Sequence, residues 1–314
     1  MELARSSDAL VTGMGSGKLF GNASGVTILD RIVCDGAQVT RPSIDPYREP
    51  IETGVCIGGR LRLSAPFAVS ELWKMKTVIK RAAVVAAFSM NIVAYLGKDE
   101  VTDAERPFLP NLLLDYGQQF SEHAAGIVVN SKERNSVRVD TDSKTQGPLF
   151  LIRMPSVDDP TAYVSSALMG FDAIIIDEDY DGLTDIEIAV SEADTALRKY
   201  KLNGRPLRDR VSIMAFSSRI RGADDVFKLM GLGADCVGLS QAATIALGNV
   251  SDLNEAVFCF ENLILSLQRE LKLLAGAAGV SNIFTTVVGN RELFRCIGLE
   301  KRIMQKLRIK PGGA

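Results

Sequence analysis

The chain has 314 residues, of which 46% are hydrophobic and 24% are charged, and its formal net charge is −2. This balance predicts a folded unit with a substantial core, and the absence of a basic block argues against nucleic-acid binding. No apolar run reaches the roughly 18 residues of a membrane span, and the Gly/Ser-rich N-terminus has no apolar signal core, so we expect no membrane partner and a cytoplasmic location.

Residues 1–60 are rich in Gly, Ser and Pro and are predicted to form an arm that packs on the main domain. The string GMGSGK at 13–18 is similar to a P-loop. It lacks two required residues, because Thr12 stands in place of the first glycine and Leu19 in place of the Ser/Thr that would bind Mg²⁺. We therefore reject a P-loop.

From Leu61 onward, short apolar runs alternate with helical segments. The predicted strands lie within 61–70, 84–95, 126–130, 136–140, 148–154, 172–177, 211–216 and 236–239, and the predicted helices lie at about 71–83, 107–120, 158–169, 184–200 and 222–232. Eight short, strongly apolar runs are typical of a parallel sheet that is covered on both faces. The pattern predicts an α/β fold, a (β/α)8 TIM barrel, over residues 61–250.

The remaining residues, 251–314, are predicted to be extra C-terminal helices that complete the same domain. Asp252 is a candidate N-cap, and an apolar stripe runs from Leu253 to Leu274. A second helix is predicted from about Asn290 to Leu307.

Two polar turns follow the strands at 211–216 and 236–239. In a parallel barrel these turns and the adjoining helix N-termini commonly bind phosphate. The candidate cofactor-binding residues here are Ser217, Ser218, Arg219, Arg221, Gly222, Ser240 and Gln241. The five cysteines are widely spaced and there is one histidine, so we predict no metal site, and no catalytic residue is assigned.

Several strings resemble the FMN-binding central domain of glutamate synthase large chains, in particular the short archaeal form. They are DRIVCDGAQVTRPSIDPYREPIETGVCIGG, PFLPNLLLDYGQ, LGADCVGLSQAATIALG and LKLLAGAAGVSNIFTTVVGNRELFRCIGL, which are spread over most of the chain. The resemblance implies an FMN-bearing barrel that forms glutamate from 2-oxoglutarate and ammonia. It also implies glutaminase and electron-donor partners, and we leave a homo-oligomer open.

The chain departs from that family where the cofactor would bind. Ser218-Arg219 replaces a Gly-Gly pair, and Ser240-Gln241 replaces Gly-Thr, so the glycine cradle is lost, although arginine and serine side chains are able to bind a phosphate. The fifth strand carries Arg153 where such barrels often place a lysine near the flavin. Arg153 is interpreted either as tuning a flavin or as pairing with a carboxylate such as Asp177.

Two further departures concern the substrate loop and the electron relay. The segment 177–182, Asp-Glu-Asp-Tyr-Asp-Gly, replaces a glycine-rich loop, and we interpret it as an exposed, solvated loop rather than a cation site. The cysteine triplet of an iron–sulfur cluster is missing, so we expect no cluster. Three functions stay open: a diverged FMN-dependent oxidoreductase, a non-catalytic barrel acting as a subunit or scaffold, and a barrel that binds another phosphorylated ligand.

Overall fold

The computed structural model describes residues 27–137 and 147–312. Eight parallel strands close into a barrel, in which β8 pairs with β1. The barrel strands are β1 (Phe67–Val69), β2 (Val93–Gly97), β3 (Leu112–Asp115), β4 (Gly126–Asn130), β5 (Leu149–Pro155), β6 (Ala173–Asp177), β7 (Ser212–Phe216) and β8 (Cys236–Leu239). The predicted TIM barrel is confirmed. The rejected P-loop string lies outside the described residues.

Helices cover the barrel unevenly. They are α1 (Thr77–Ser89) after β1, α2 (Pro160–Leu168) after β5, α3 (Ile186–Lys199) after β6, α4 (Ala223–Leu232) after β7, α5 (Gln241–Leu247) and α6 (Leu253–Ala277) after β8, then α7 (Ile283–Val287) and α8 (Lys301–Leu307). The connections after β2, β3 and β4 contain only the 3-10 turns Arg106–Asn111, Ser121–His123 and Ser131–Ser136 within their described parts. In the described residues, α-helices therefore follow β1 and β5–β8, and none follows β2, β3 or β4.

The predicted helix at 107–120 is wrong. The structure has a 3-10 turn that contains Pro110, followed by strand β3, whose four residues are all buried. Pro110 disfavours a helical conformation in the residue before it and has no backbone N–H to donate. The three leucines that follow are buried on both faces of the sheet, which is typical of a parallel strand.

Two of the predicted strands also need correction. Residues 84–89 belong to α1 and only Val93–Gly97 form a strand, because the alanine-rich run packs as a helix. Of the strand predicted at 136–140, Ser136 ends a 3-10 turn, Val137 is not in a strand, and 138–140 lie outside the described residues.

The arm and the C-terminal part pair with each other. Arm residues Ile32–Cys34 pair antiparallel with Phe294–Cys296, which is a strand and not part of the predicted helix from Asn290 to Leu307. Only α8 in that range is α-helical. The predicted cap of α6 is present, since the Asp252 carboxylate accepts a hydrogen bond from the Glu255 N–H at 2.8 Å.

Candidate functional site

A buried ion pair forms the floor of the barrel mouth, at the carboxyl ends of the strands. Arg153 of β5 contacts the Asp177 Oδ2 atom of β6 through Nε at 2.8 Å and Nη2 at 2.7 Å. Arg153 is 9% exposed and Asp177 is 1% exposed. Burial works against the charge of the guanidinium, but the neighbouring Asp177 outweighs it and raises the pKa of Arg153.

Three aromatic rings surround the Arg153 guanidinium. Its carbon lies 4.5 Å from the Tyr180 ring centroid, 5.2 Å from that of Trp73 and 5.6 Å from that of Tyr95. Trp73 follows β1, which lies opposite β5 in the ring of eight strands. The contact between Trp73 and Arg153 therefore bridges the mouth from one side to the other.

A cavity of about 240 Å³ remains beside this bridge. Buried Glu71, Asp115 and Arg153 and the ring of Trp73 line it, and exposed Lys74, Lys98 and Asp179 form its rim. The Tyr95 hydroxyl donates a 2.5 Å hydrogen bond to Asp115 Oδ1, and burial raises the pKa of the Asp115 carboxyl. The cavity is smaller than the roughly 300–1,000 Å³ of typical cofactor pockets.

The segment Asp177–Gly182, which we name the acidic strap, lies against the turn that follows β7. The Ser218 N–H donates to Asp179 Oδ2 at 2.6 Å, and the Ser218 hydroxyl donates to Asp179 Oδ1 at 2.9 Å. Asp181 pairs with Lys132 at 2.7 Å, and the Lys132 ammonium lies 5.4 Å from the Tyr180 ring centroid. The expected exposure of this loop is confirmed at Asp179, Asp181 and Gly182, although several of its side chains are also paired with neighbouring elements.

The first candidate arginine, Arg219, is held by carboxylates. Its Nε donates to Glu178 Oε2 at 2.9 Å and its Nη2 to Glu187 Oε2 at 3.2 Å, and the Ser217 hydroxyl also donates to Glu178. Glu187 is fully buried, and burial raises the pKa of its carboxyl to about 7. The pKa of Arg219 is raised, since these acids outweigh its own burial.

The second candidate arginine, Arg221, points to a different place. It forms a two-point contact with Asp225, at 2.8 Å from both Nε and Nη2, and a 2.7 Å ion pair with Asp30 of the arm. Gly222 has φ −166°, an extended conformation that any residue adopts, so its backbone gives no reason for glycine. The structure therefore does not bring Arg219 and Arg221 together at one site.

The β8 turn faces a second cavity, of about 370 Å³, which is also lined by Glu71 and Lys74. Ser240 is 3% exposed, and its hydroxyl has no hydrogen-bond partner among the described residues. Gln241 begins α5 and is exposed. Of the predicted cofactor-binding residues, only Ser217, Ser218 and Arg219 form one cluster, with the acidic strap, while Arg153 lies at the floor.

Sequence reasoning missed Trp73, Tyr95, Asp115 and Tyr180. The available signal was their position, since three of them lie at or directly beyond the carboxyl end of an apolar run and Tyr95 lies within one. Trp73 is also the single tryptophan of the chain. No set of three or more metal-ligating side chains occurs in the ranges 27–137 and 147–312. In those same ranges, no helix has both the length and the apolar character of a membrane span.

Residues 176–279 match the family model described as a conserved region in glutamate synthase. The archaeal glutamate synthase [NADPH] of Methanocaldococcus jannaschii is 25% identical over 99% of this chain and 82% of the relative. The archaeal-type glutamate synthase [NADPH] of Thermotoga sp. is 24% identical over 100% of this chain and 82% of the relative. The first alignment spans 435 positions, so more than a hundred positions of that relative have no counterpart here.

Solved structures with a similar fold include FMN-barrel oxidases. A flavocytochrome b2 with bound benzoylformate superimposes with a TM-score of 0.63 at 13% identity, over 98% of this chain and 82% of that chain. A mandelate oxidase that carries a monooxide FMN adduct superimposes with a TM-score of 0.60 at 14% identity, over 92% of this chain and 93% of that chain. At these identities the likeness concerns the fold alone.

Proposed function

Because this chain is a diverged glutamate synthase-like protein with the barrel of FMN-dependent oxidases, we propose that it has lost flavin chemistry and acts as a non-catalytic subunit or scaffold. The observation that carries the proposal is the occupied barrel mouth. Side chains of the protein itself take both the room and the hydrogen-bond donors that a flavin nucleotide requires.

The residues present do not fit the FMN phosphate at the β7 turn. A phosphate group is bound by free backbone N–H groups, hydroxyls and guanidinium groups. Here the N–H and hydroxyl of Ser218 both donate to Asp179, and the fork of Arg219 is paired with Glu178. A phosphate placed there would meet two carboxylates at contact distance, which costs free energy through like-charge repulsion.

The flavin ring would have to compete with side chains for the mouth. Trp73, Arg153 and Tyr180 bridge it, and the neighbouring cavity of about 240 Å³, whose lining includes charged Glu71 and Asp115, is small for a cofactor. Arg153 stands where a family member would carry lysine, and Asp177 accepts two of its donor contacts.

The second candidate is a retained oxidoreductase that forms glutamate with bound FMN. One observation favours it: the unpaired, buried hydroxyl of Ser240 opens toward a cavity of about 370 Å³ beside Lys74. In that case the phosphate would bind at the β8 turn rather than at the β7 turn. The experiment below separates the two candidates.

The visible absorption spectrum of the purified protein tests the proposal. The protein is incubated with excess FMN, desalted and scanned beside mandelate oxidase, which serves as the FMN-retaining control. We expect this chain to retain no flavin band. A band that survives desalting, and that bleaches with dithionite, would overturn the proposal in favour of the oxidoreductase.

A non-catalytic subunit also needs a partner. We propose a glutaminase or an electron-donor component of a glutamate synthase, with assembly in the cytoplasm. Affinity purification at native expression, with mass spectrometry, should identify such a component in stoichiometric amount. Recovery of this chain alone, as a monomer, would contradict the subunit role.

A further inference from the structure

We propose that the acidic strap is an internal anionic ligand, in which Asp179 takes the place of an external tetrahedral oxyanion such as phosphate at the β7 turn. Two donors of one residue, the Ser218 N–H and hydroxyl, bind the two oxygens of the Asp179 carboxylate at 2.6 and 2.9 Å. A charged acceptor shared between a backbone N–H and a hydroxyl is the arrangement that proteins use to bind phosphate. The anion is supplied here by the chain itself.

The position of the strap does not depend on Asp179. On one side, Asp177 is fixed by Arg153 and Tyr180 packs on the same guanidinium. On the other side, Gly182 packs so closely on the residue that follows β5 that an added Cβ would lie 2.5 Å from the Ser156 Oγ atom. Removal of the Asp179 side chain should therefore leave the Ser218 donors in place and open to solvent.

Asp179 is the strap carboxylate that a solution anion is able to replace. It is exposed, whereas the Glu178 and Asp177 side chains are only 17% and 1% exposed. An exposed carboxylate is hydrated at little cost and competes with solution anions, while a buried one leaves an uncompensated cation behind if it moves. The Ser218 donors are therefore open to an outside anion once Asp179 is absent.

The experiment measures the thermal unfolding midpoint, Tm, in rising inorganic phosphate, against sodium chloride of equal ionic strength. Asp179→Ala should have a lower Tm than wild type in chloride and should regain about 2–4 °C in saturating phosphate, because a ligand that binds only the folded state stabilises it. Wild type should show only the general stabilisation that phosphate gives by exclusion from the protein surface, and the gain of the variant is counted beyond that response. In the double variant Asp179→Ala/Ser218→Ala the phosphate gain should shrink, since one of the two donors is gone.

The matched control is Asp181→Ala, which removes an exposed strap aspartate that contacts Lys132 and not the β7 turn. It should show no phosphate-specific gain. If Asp179→Ala fails to fold, Asp179→Gly also vacates the carboxylate position, and the same phosphate titration is applied to it. A phosphate response of the Asp179 variant no larger than that of wild type or of Asp181→Ala would overturn the inference.

The outcome is independent of the FMN test on wild type. Flavin retention by wild type together with a phosphate response confined to the Asp179 variant would overturn the non-catalytic role and leave the internal anion standing. The converse result, with no flavin retained and no phosphate response, would leave the non-catalytic role standing and overturn the internal anion.

Discussion

Loss of Asp177 should destabilise the barrel strongly, because it leaves the Arg153 charge buried without its partner. Arg153 is 9% exposed, and both of its contacts to Asp177 end on one oxygen, Oδ2. Breaking a buried pair by removing one partner typically costs about 3–5 kcal/mol. We therefore expect Asp177→Asn, which keeps the size of the side chain, to lower the free energy of unfolding by about 3 kcal/mol.

Urea unfolding followed by circular dichroism measures this loss, and a double-mutant cycle isolates the pair. The cycle compares wild type with Asp177→Asn, Arg153→Met and the double variant, and we expect an interaction energy of about 1–3 kcal/mol. The control is Asp103→Asn on the surface, where Asp103 is 92% exposed and pairs with Arg106 at 3.1 Å. That pair should contribute less than about 1 kcal/mol.

The cycle has a clear contradicting result. If Asp177→Asn costs no more than the surface control and the interaction energy is near zero, Arg153 is not fixed at the floor of the mouth. The guanidinium would then be free to move toward a ligand, and the argument for an occupied mouth would fail.

Three further predictions concern other positions. The raised pKa of Glu187 means that wild type loses stability as pH rises from 4.5 through about 7, because the buried carboxyl must then ionise. The free energy of unfolding of Glu187→Gln, which does not ionise, should therefore rise by about 3 kcal/mol relative to that of wild type over this window. Asp194→Ala should lower the free energy of unfolding, measured in urea, by about 3–5 kcal/mol, because the buried Arg208 side chain would lose one of its carboxylate partners. Gly97→Ala should shift the fluorescence of Trp73 and cost about 1–3 kcal/mol, because the glycine has φ +67° and an added Cβ would lie 2.3 Å from that ring.

Each of these has an outcome that contradicts it. A stability difference between Glu187→Gln and wild type that is flat across the pH window would show that the carboxyl titrates normally. The pKa of Asp194 is lowered, because its arginine partners outweigh its burial. Its contribution to the free energy of unfolding should therefore be lost only as pH falls below 3.8. A wild-type protein that loses this contribution already at neutral pH would contradict the prediction. An unchanged emission spectrum in Gly97→Ala would place Trp73 away from the mouth.

The sequence allowed the β5–β8 half of the barrel to be predicted well, because there each strand is a short apolar run followed by an amphipathic helix. The other half was harder, since the described connections after β2 to β4 have no α-helix, and the run Leu112–Asp115 was mistaken for one. Periodicity does not separate a fully buried strand from a buried helix in so short a run.

The site was predictable in its location and not in its pairings. Ser217, Ser218 and Arg219 were expected at the mouth because they follow a barrel strand. Their partners in the acidic strap are about 40 residues away in the chain, and the parallel pairing of β6 with β7 brings them side by side. Whether a carboxylate or a solution anion meets such donors is a question of packing, which local sequence does not determine.

The most direct measurement is an FMN titration followed by the fluorescence of Trp73, the only tryptophan and a wall of the mouth cavity. We expect no quenching beyond that of free tryptophan at the same FMN concentration, because Arg153 and Tyr180 bridge the mouth beside Trp73. Saturable quenching that is lost when FMN is competed away would show that the mouth admits a flavin, and would contradict the account.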